Sequence, residues 1–294
     1  MGILIKDGPV DLGYRLDCER LFEPQHRPDN PLAWFDMEGK WFQKSAQAAK
    51  ELGSDPAALE QAKQKGWLVN SSDAYWFAPV PRPGKLICIG LNYRDHAAES
   101  NMPIPEQPVI FSKFSSCVIA PGEPVVIPSK SQQVDYEAEL AVVIGRTAKN
   151  VKASEAYNYV LGYTAVNDVS ARDFQFADGQ WQRGKSCDTF APMGQVIVTT
   201  DEIPDPHKLS IKLVLNGQTM QDSNTNQLIF GVPALIEFLT ESITLEPGDV
   251  IATGTPPGVG FARKPPVFLK PGDQMEVLIE GIGGVGNPVV ASES

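Results

Sequence analysis

The chain has 294 residues, 42% of them hydrophobic and 21% charged, and carries a formal net charge of −11. That length suits one large domain or two unequal ones. The acidic balance, with no cluster of Lys and Arg, excludes nucleic acid as a partner, and no apolar run approaches a membrane span.

From the N-terminus, "MGILIKDGPVDLG" shows neither the apolar segment nor the cleavage site of a signal peptide, so a cytoplasmic location is expected. Next, "MEGKWFQKSAQAAKELG" and "SDPAALEQAKQKGW" predict two helices. The second opens with Ser54 or Asp55 as N-cap and Pro56 at its first position, and Gly53 and Gly66 are candidate stops. The proline-rich "FAPVPRPGK" can neither continue a helix nor join a central strand. It marks a boundary between a small α/β domain at residues 1–76 and a second domain at 77–294.

Beyond the boundary the pattern turns to strands. "KLICIG" reads as a short buried strand. "APGEPVVIP", "EPGDVIATG" and "KPGDQMEVLIEGIG" each carry a Pro-Gly-acid turn followed by a β-branched or alternating run. Only "SEAYNYVLG" and "FGVPALIEFLTESI" look helical here. The fold class expected is α+β and predominantly β, with a rolled or barrel-like sheet. Cys18, Cys88, Cys117 and Cys187 are far apart in sequence and read as reduced, mostly buried thiols. With only three His residues, any metal would have to be held by oxygen.

Several segments can carry chemistry. In "VDYEAELAVVIG", Asp135, Glu137 and Glu139 alternate with Tyr136, Ala138 and Leu140, and an extended chain puts alternate residues on one face. At about 7 Å spacing, each adjacent pair of carboxylates repels by about 2 kcal/mol at an effective dielectric near 20. The face is either a solvated edge, a set of carboxyls with raised pKa values, or a site for a divalent cation. In "VLGYTAVNDVSARDFQ" an apolar strand ends at Asp168, which can be a further ligand or a helix cap, and Arg172 can pair with a substrate carboxylate or with Asp173. His96 and Glu99 in "IGLNYRDHAAES" share a helical face, as a general base and its partner would, or as a plain surface pair. Lys185 in "QWQRGKSCDTFAPMG" is either an enolate-stabilising cation or a solvated loop lysine. The loop "ATGTPPGVGF" exposes N–H groups and the hydroxyls of Thr253 and Thr255 to an anion, without the Lys and helix of a phosphate loop.

Taken in order, "GLNYRDHAAE", "DYEAEL", "NDVSARDFQ", "GKSCDTFAPMG" and "PGDVIATGTPPGVG" resemble the fumarylacetoacetate hydrolase superfamily over about residues 85–290. The resemblance implies a rolled mixed β-sheet, a homodimer, and one Mg²⁺ or Mn²⁺ per site, with Ca²⁺ as a further candidate. By motif, Glu137, Glu139 and Asp168 match the metal ligands, and Asp135 matches a supporting position. His96 and Glu99 match the pair that activates water, with Lys185 stabilising an enolate. Arg172, Gln175 and Thr255 match groups that bind the oxo-acid end of a small-molecule substrate, and Asn92 and Tyr93 of the first motif join them as candidate substrate contacts.

The leading expectation is a metal-dependent hydrolase that cleaves the C–C bond of a 2,4-dioxo acid of the acylpyruvate type. The alternative keeps the metal and the enolate but changes the reaction: oxaloacetate decarboxylation, or isomerisation of a 2-hydroxymuconate-type dienoate. A third reading is a metal-binding scaffold that has lost catalysis; its sequence mark would be a missing ligand or a broken His–Glu pair, and neither is seen.

Overall fold

The computed structural model describes residues 2–5, 8–11, 31–66, 76–99 and 101–293. The chain divides into two compact units, Met1–Trp76 and Phe77–Ser294. The first contains an antiparallel pair of strands, Gly2–Ile5 and Gly8–Asp11, and two helices, Lys40–Ser54 and Pro56–Gln64. Asp55 caps the second helix by accepting the Ala57 N–H at 2.9 Å, with Pro56 at the first turn. Gly66 adopts φ +70 just past that helix, as a helix stop requires. Gly53 does not stop the first helix, which runs one residue further and ends where Asp55 begins the next cap. Cys18 lies outside the described residues.

The second unit is built on two large sheets, together with two short two-stranded pairs. One has six strands in the order Val198–Thr199, Val160–Asn167, Ala138–Ile144, Val250–Ala252, Leu86–Gly90, Val109–Lys113. It is mixed: Val250–Ala252 runs parallel to Leu86–Gly90, while the other neighbours are antiparallel. The other sheet has five strands, Gln218–Asn224, Ser210–Leu215, Gln274–Ile279, Gly283–Ala291 and Val125–Ile127, the last pair parallel. The architecture is therefore mixed α+β and mostly β, as expected. Both sheets are open, and no barrel closes among the described residues.

The sequence patterns follow from where each strand sits. Ala138–Ile144 and Val160–Asn167 are buried at every position, so they read as nearly unbroken apolar runs. Gln274–Ile279 alternates exposed and buried residues, as a strand with one wet face does. Gly162 lets the short edge strand approach, because a Cβ there would meet the Val198 carbonyl at 2.2 Å. The stretch expected to be helical at 154–162 splits instead. Residues Ala153–Tyr159 form a 3-10 helix, and the chain enters a core strand at Val160, where β-branched and apolar residues take over.

Candidate active site

The acidic stretch is not one continuous strand. Val134–Asp135 pairs with Ser170–Ala171, the chain leaves the ladder at Tyr136 and Glu137, and Ala138–Ile144 enters the six-stranded sheet. The break is stitched locally: the Asp168 N–H donates to the Glu137 carbonyl at 2.9 Å, and the Glu137 N–H donates to Asn167 Oδ1 at 3.0 Å. The two strand ends are thereby held side by side, and Glu137, Glu139 and Asp168 converge. One oxygen from each lies within 4.8 Å of the others, and all three residues are buried.

Three cations surround this cluster. Lys185 Nζ bridges Glu137 Oε2 at 2.8 Å and Asp168 Oδ2 at 2.7 Å. Lys113 Nζ reaches Asp168 Oδ1 at 2.6 Å. The Arg172 guanidinium contacts Asp135 Oδ2 at 2.8 Å and Glu137 Oε1 at 2.7 Å. Asp135 also accepts the Gly260 and Phe261 N–H groups, at 2.7 and 3.1 Å, so it fastens the 258–263 loop as well as Arg172. Four buried carboxylates thus face three buried cations, leaving one negative charge in excess.

That excess falls on Glu139. Burial works against an ionised Glu137, but Lys185 and Arg172 outweigh it and hold its carboxyl down at about 2. Glu139 has no cationic partner at hydrogen-bond distance among the described residues, only the Gly254 N–H at 2.9 Å. Burial first, then the charges of Asp168 and Glu137, push it well above the usual carboxylate range. A donor set of three buried carboxylate oxygens, one of them unbalanced, fits a hard divalent cation such as Mg²⁺ or Mn²⁺. No His or Cys belongs to the cluster, which does not suit zinc.

His96, 8% exposed, lies on the short helix Arg94–Glu99, and its Nδ1 is 3.2 Å from Glu99 Oε2. Glu99 also accepts the Gly258 N–H through both oxygens, each at 3.1 Å. Gly258 adopts φ +101, with a Cβ position only 2.1 Å from the Met220 carbonyl, so the loop can turn there only on a glycine. The 254–258 loop therefore runs from the amide that holds Glu139 to the amide that holds Glu99, and four residues span at most about 14 Å.

The structure spends several candidate substrate contacts on the protein itself. Asn92 is fully buried; its amide donates to the Phe230 and Thr253 carbonyls and accepts the Phe230 N–H. The Thr255 hydroxyl donates to the Ala138 carbonyl at 2.9 Å and accepts from Gln221 at 2.8 Å. Gln175 Oε1 accepts from Arg172 at 3.0 Å, the guanidinium Nε donates to Asp135 at 2.9 Å, and its Nη2 lies against the Asp135 and Glu137 carboxylates. Asp173, a possible partner for Arg172, accepts from Ser131 and the Gln132 N–H instead. Lys185 is not a solvated loop residue: it is 2% exposed, and its Nζ is 4.9 Å from the Phe111 ring centroid. Tyr93 differs from the rest. Its hydroxyl is buried with no hydrogen-bond partner among the described residues, and burial, then the Glu139 charge, raise its pKa.

Lys113 and Gln221 were not singled out in the sequence. In "VIFSK" the signal is parity: Val109, Phe111 and Lys113 share one face of the strand, which puts a lysine where an apolar residue would be expected.

Comparison with known proteins places this geometry in a family. The fumarylacetoacetate (FAA) hydrolase C-terminal family matches residues 85–290, and the chain belongs to it. It is 51% identical over 246 residues to the mitochondrial oxaloacetate tautomerase fahd2 of Xenopus laevis, covering 82% of this chain and 76% of that one. Among solved structures, an HpcE-like protein from Mycobacterium smegmatis superposes with a TM-score of 0.81 at 37% identity, covering 99% of this chain and 96% of that one. The 5-carboxymethyl-2-hydroxymuconate delta-isomerase from the same organism gives a TM-score of 0.68 at 43% identity, covering 76% and 84%. The chain is thus an enzyme of this superfamily, and the hydrolysis expected first is not the reaction for which the tautomerase and the isomerase above are named. A relative named as mitochondrial gives the cytoplasmic expectation no support. Among the described residues no helix is long and apolar enough to cross a membrane.

Proposed function

We propose that this chain is a metal-dependent tautomerase of a small 2-oxo dicarboxylic acid of the oxaloacetate type, moving one proton between an enol oxygen and the neighbouring carbon. The observation that carries the reading is the His96–Glu99 pair, joined by one short loop to a buried carboxylate cluster with an excess negative charge. With Nδ1–H directed at Glu99, the His96 ring presents Nε2 as the base. Nε2 takes the proton from one end of the enol–keto system and returns a proton at the other, so no water is consumed and no C–C bond breaks. The 51%-identical tautomerase and the 43%-identical isomerase support this over the C–C hydrolysis expected first.

The remaining residues bind and balance charge. Glu137, Glu139 and Asp168 would hold the divalent cation, which when bound supplies Lewis-acid polarisation of the substrate's 2-oxo and carboxylate oxygens. Lys185 places an ammonium among those ligands, where it offsets negative charge developing on the enolate. The Tyr93 hydroxyl, without a hydrogen-bond partner among the described residues, is a donor for a substrate oxygen. Arg172 and Gln175 position Glu137 and Asp135, and their contact with substrate requires those pairs to reopen. Asn92 and Thr255 shape the loop.

A second reading, cleavage of an acylpyruvate, keeps the same residues, with His96 activating water; the family's name as a hydrolase favours it. Oxaloacetate in D₂O with Mg²⁺ tests the first reading by NMR. Accelerated deuterium exchange at C3 without pyruvate supports tautomerisation, and pyruvate release at the same rate as exchange contradicts it. The homodimer stays part of this proposal. It is supported by an edge strand, Val109–Lys113, which carries the exposed Val109 and Ile110 and is flanked by the exposed apolar residues Met102, Ile104 and Phe114.

A further inference from the structure

Gln221 is fully buried on the strand Gln218–Asn224 of the five-stranded sheet. The pairing of that strand with Ser210–Leu215 shifts register between Leu213 and Val214, so Met220 and Gln221 are both buried in succession. An irregularity of this kind re-aims side chains, and here it turns a polar amide into the space between the two sheets.

There both N–H donors of the amide and its oxygen are engaged. Its Oε1 accepts the Ala138 N–H at 2.8 Å, and its Nε2 donates to Thr255 Oγ1 and to the Pro256 carbonyl, each at 2.8 Å. The amide orientation is dictated by its partners, since a backbone N–H can only donate and a carbonyl can only accept. Ala138 lies between Glu137 and Glu139. Its carbonyl in turn accepts from the Thr255 hydroxyl at 2.9 Å. Both polar groups of that residue are thus held by side chains, at the point where the ladder resumes.

We propose that Gln221 is a positioning residue that sets the spacing of Glu137 and Glu139 and, through Thr255 and Pro256, ties it to the loop that holds Glu99. It touches no substrate. It fixes the segment from which two of the three carboxylates project, and it acts through Ala138 and Thr255. The inference rests on the metal-dependent reading above, so its test reads metal uptake rather than turnover.

The experiment titrates wild type, Gln221→Met, Thr255→Val and the double variant with Mn²⁺, reading the dissociation constant and the EPR line shape, with unfolding in EDTA alongside. Partners behind metal ligands are worth about 10–100-fold in metal affinity. Each single variant should weaken Mn²⁺ binding by about 10-fold and alter the line shape, and the double variant should stay close to either single. A merely structural glutamine would lower the unfolding midpoint and leave the dissociation constant and line shape unchanged, which overturns the proposal. Fully additive losses would overturn the shared path through Thr255. If Gln221→Met does not fold, Thr255→Val decides: Mn²⁺ binding within twofold of wild type overturns the proposal, and a 10-fold loss supports it. Absence of Mn²⁺ binding by the wild type is a separate result; it removes the metal reading itself, and this inference with it.

Discussion

Lys113 Nζ lies 2.6 Å from Asp168 Oδ1, and neither side chain reaches solvent. The pairing is unusual in its setting: on the strand Val109–Lys113 the apolar Val109 and Ile110 are exposed, and the lysine is the one buried residue. Its burial makes sense only as half of an ion pair, because an uncompensated buried charge is far more costly than a buried apolar group. Lys113→Met should therefore destabilise the metal-free protein by about 3 kcal/mol. That is the low end for a broken buried pair, because Lys185 still reaches the other Asp168 oxygen. Urea unfolding in EDTA checks this, and a loss below about 1 kcal/mol would mean that Lys113 is not needed to balance Asp168.

His96→Ala should cut turnover by about 10²–10⁴-fold, the usual worth of a positioned acid–base group, with little change in thermal stability. Glu99→Gln should cost less in rate but should also loosen the loop, since Glu99 accepts the Gly258 N–H as well as facing His96. Steady-state rates and unfolding midpoints of the two variants separate these effects. A fully active His96→Ala enzyme would remove the proposed base.

The two glutamates should respond to pH with opposite signs. Glu137 is held at about 2 by Lys185 and Arg172 against the penalty of burial. A lowered carboxyl stabilises the fold above its unfolded pKa, and that stability is lost as pH falls toward about 2. Glu139 is raised, by burial first. Its contribution is fully present below the ordinary carboxylate range and is lost as pH rises through its folded value. In EDTA, the melting temperature should accordingly fall on the alkaline side of the carboxylate range. A bound divalent cation needs the ionised carboxylate, so added Mg²⁺ should stabilise more as pH rises. Melting curves against pH, with EDTA or Mg²⁺, test the sign; parallel curves would mean that Glu139 is not a ligand.

The Glu137, Glu139 and Asp168 cluster was legible in the sequence because charge on an otherwise apolar strand violates a local rule, and such violations mark sites. The strands after each Pro-Gly-acid turn were legible for the opposite reason: turn chemistry and β-branched runs agree there. What escaped was partner choice over long separations. Asn92 is held by Phe230 and Thr253, and Gln221 by Ala138 and Thr255, pairs separated in sequence by 34 to 161 residues. Motif position put Asn92 and Thr255 beside the substrate; the structure shows their polar atoms turned to the backbone. Lys113 escaped for a related reason, since a lone lysine at a strand end looks solvated until its partner, 55 residues on, is known.

The central claim is that the site moves a proton and does not break a carbon–carbon bond. The most direct test measures kcat/KM of the Mg²⁺-loaded protein side by side for decay of the oxaloacetate enol absorbance and for cleavage of a panel of acylpyruvates. Efficient enol–keto conversion, at least about 10²-fold above any cleavage, lost in EDTA and in His96→Ala, is the expected result. Acylpyruvate cleavage with the higher kcat/KM would contradict the account and restore the hydrolase reading.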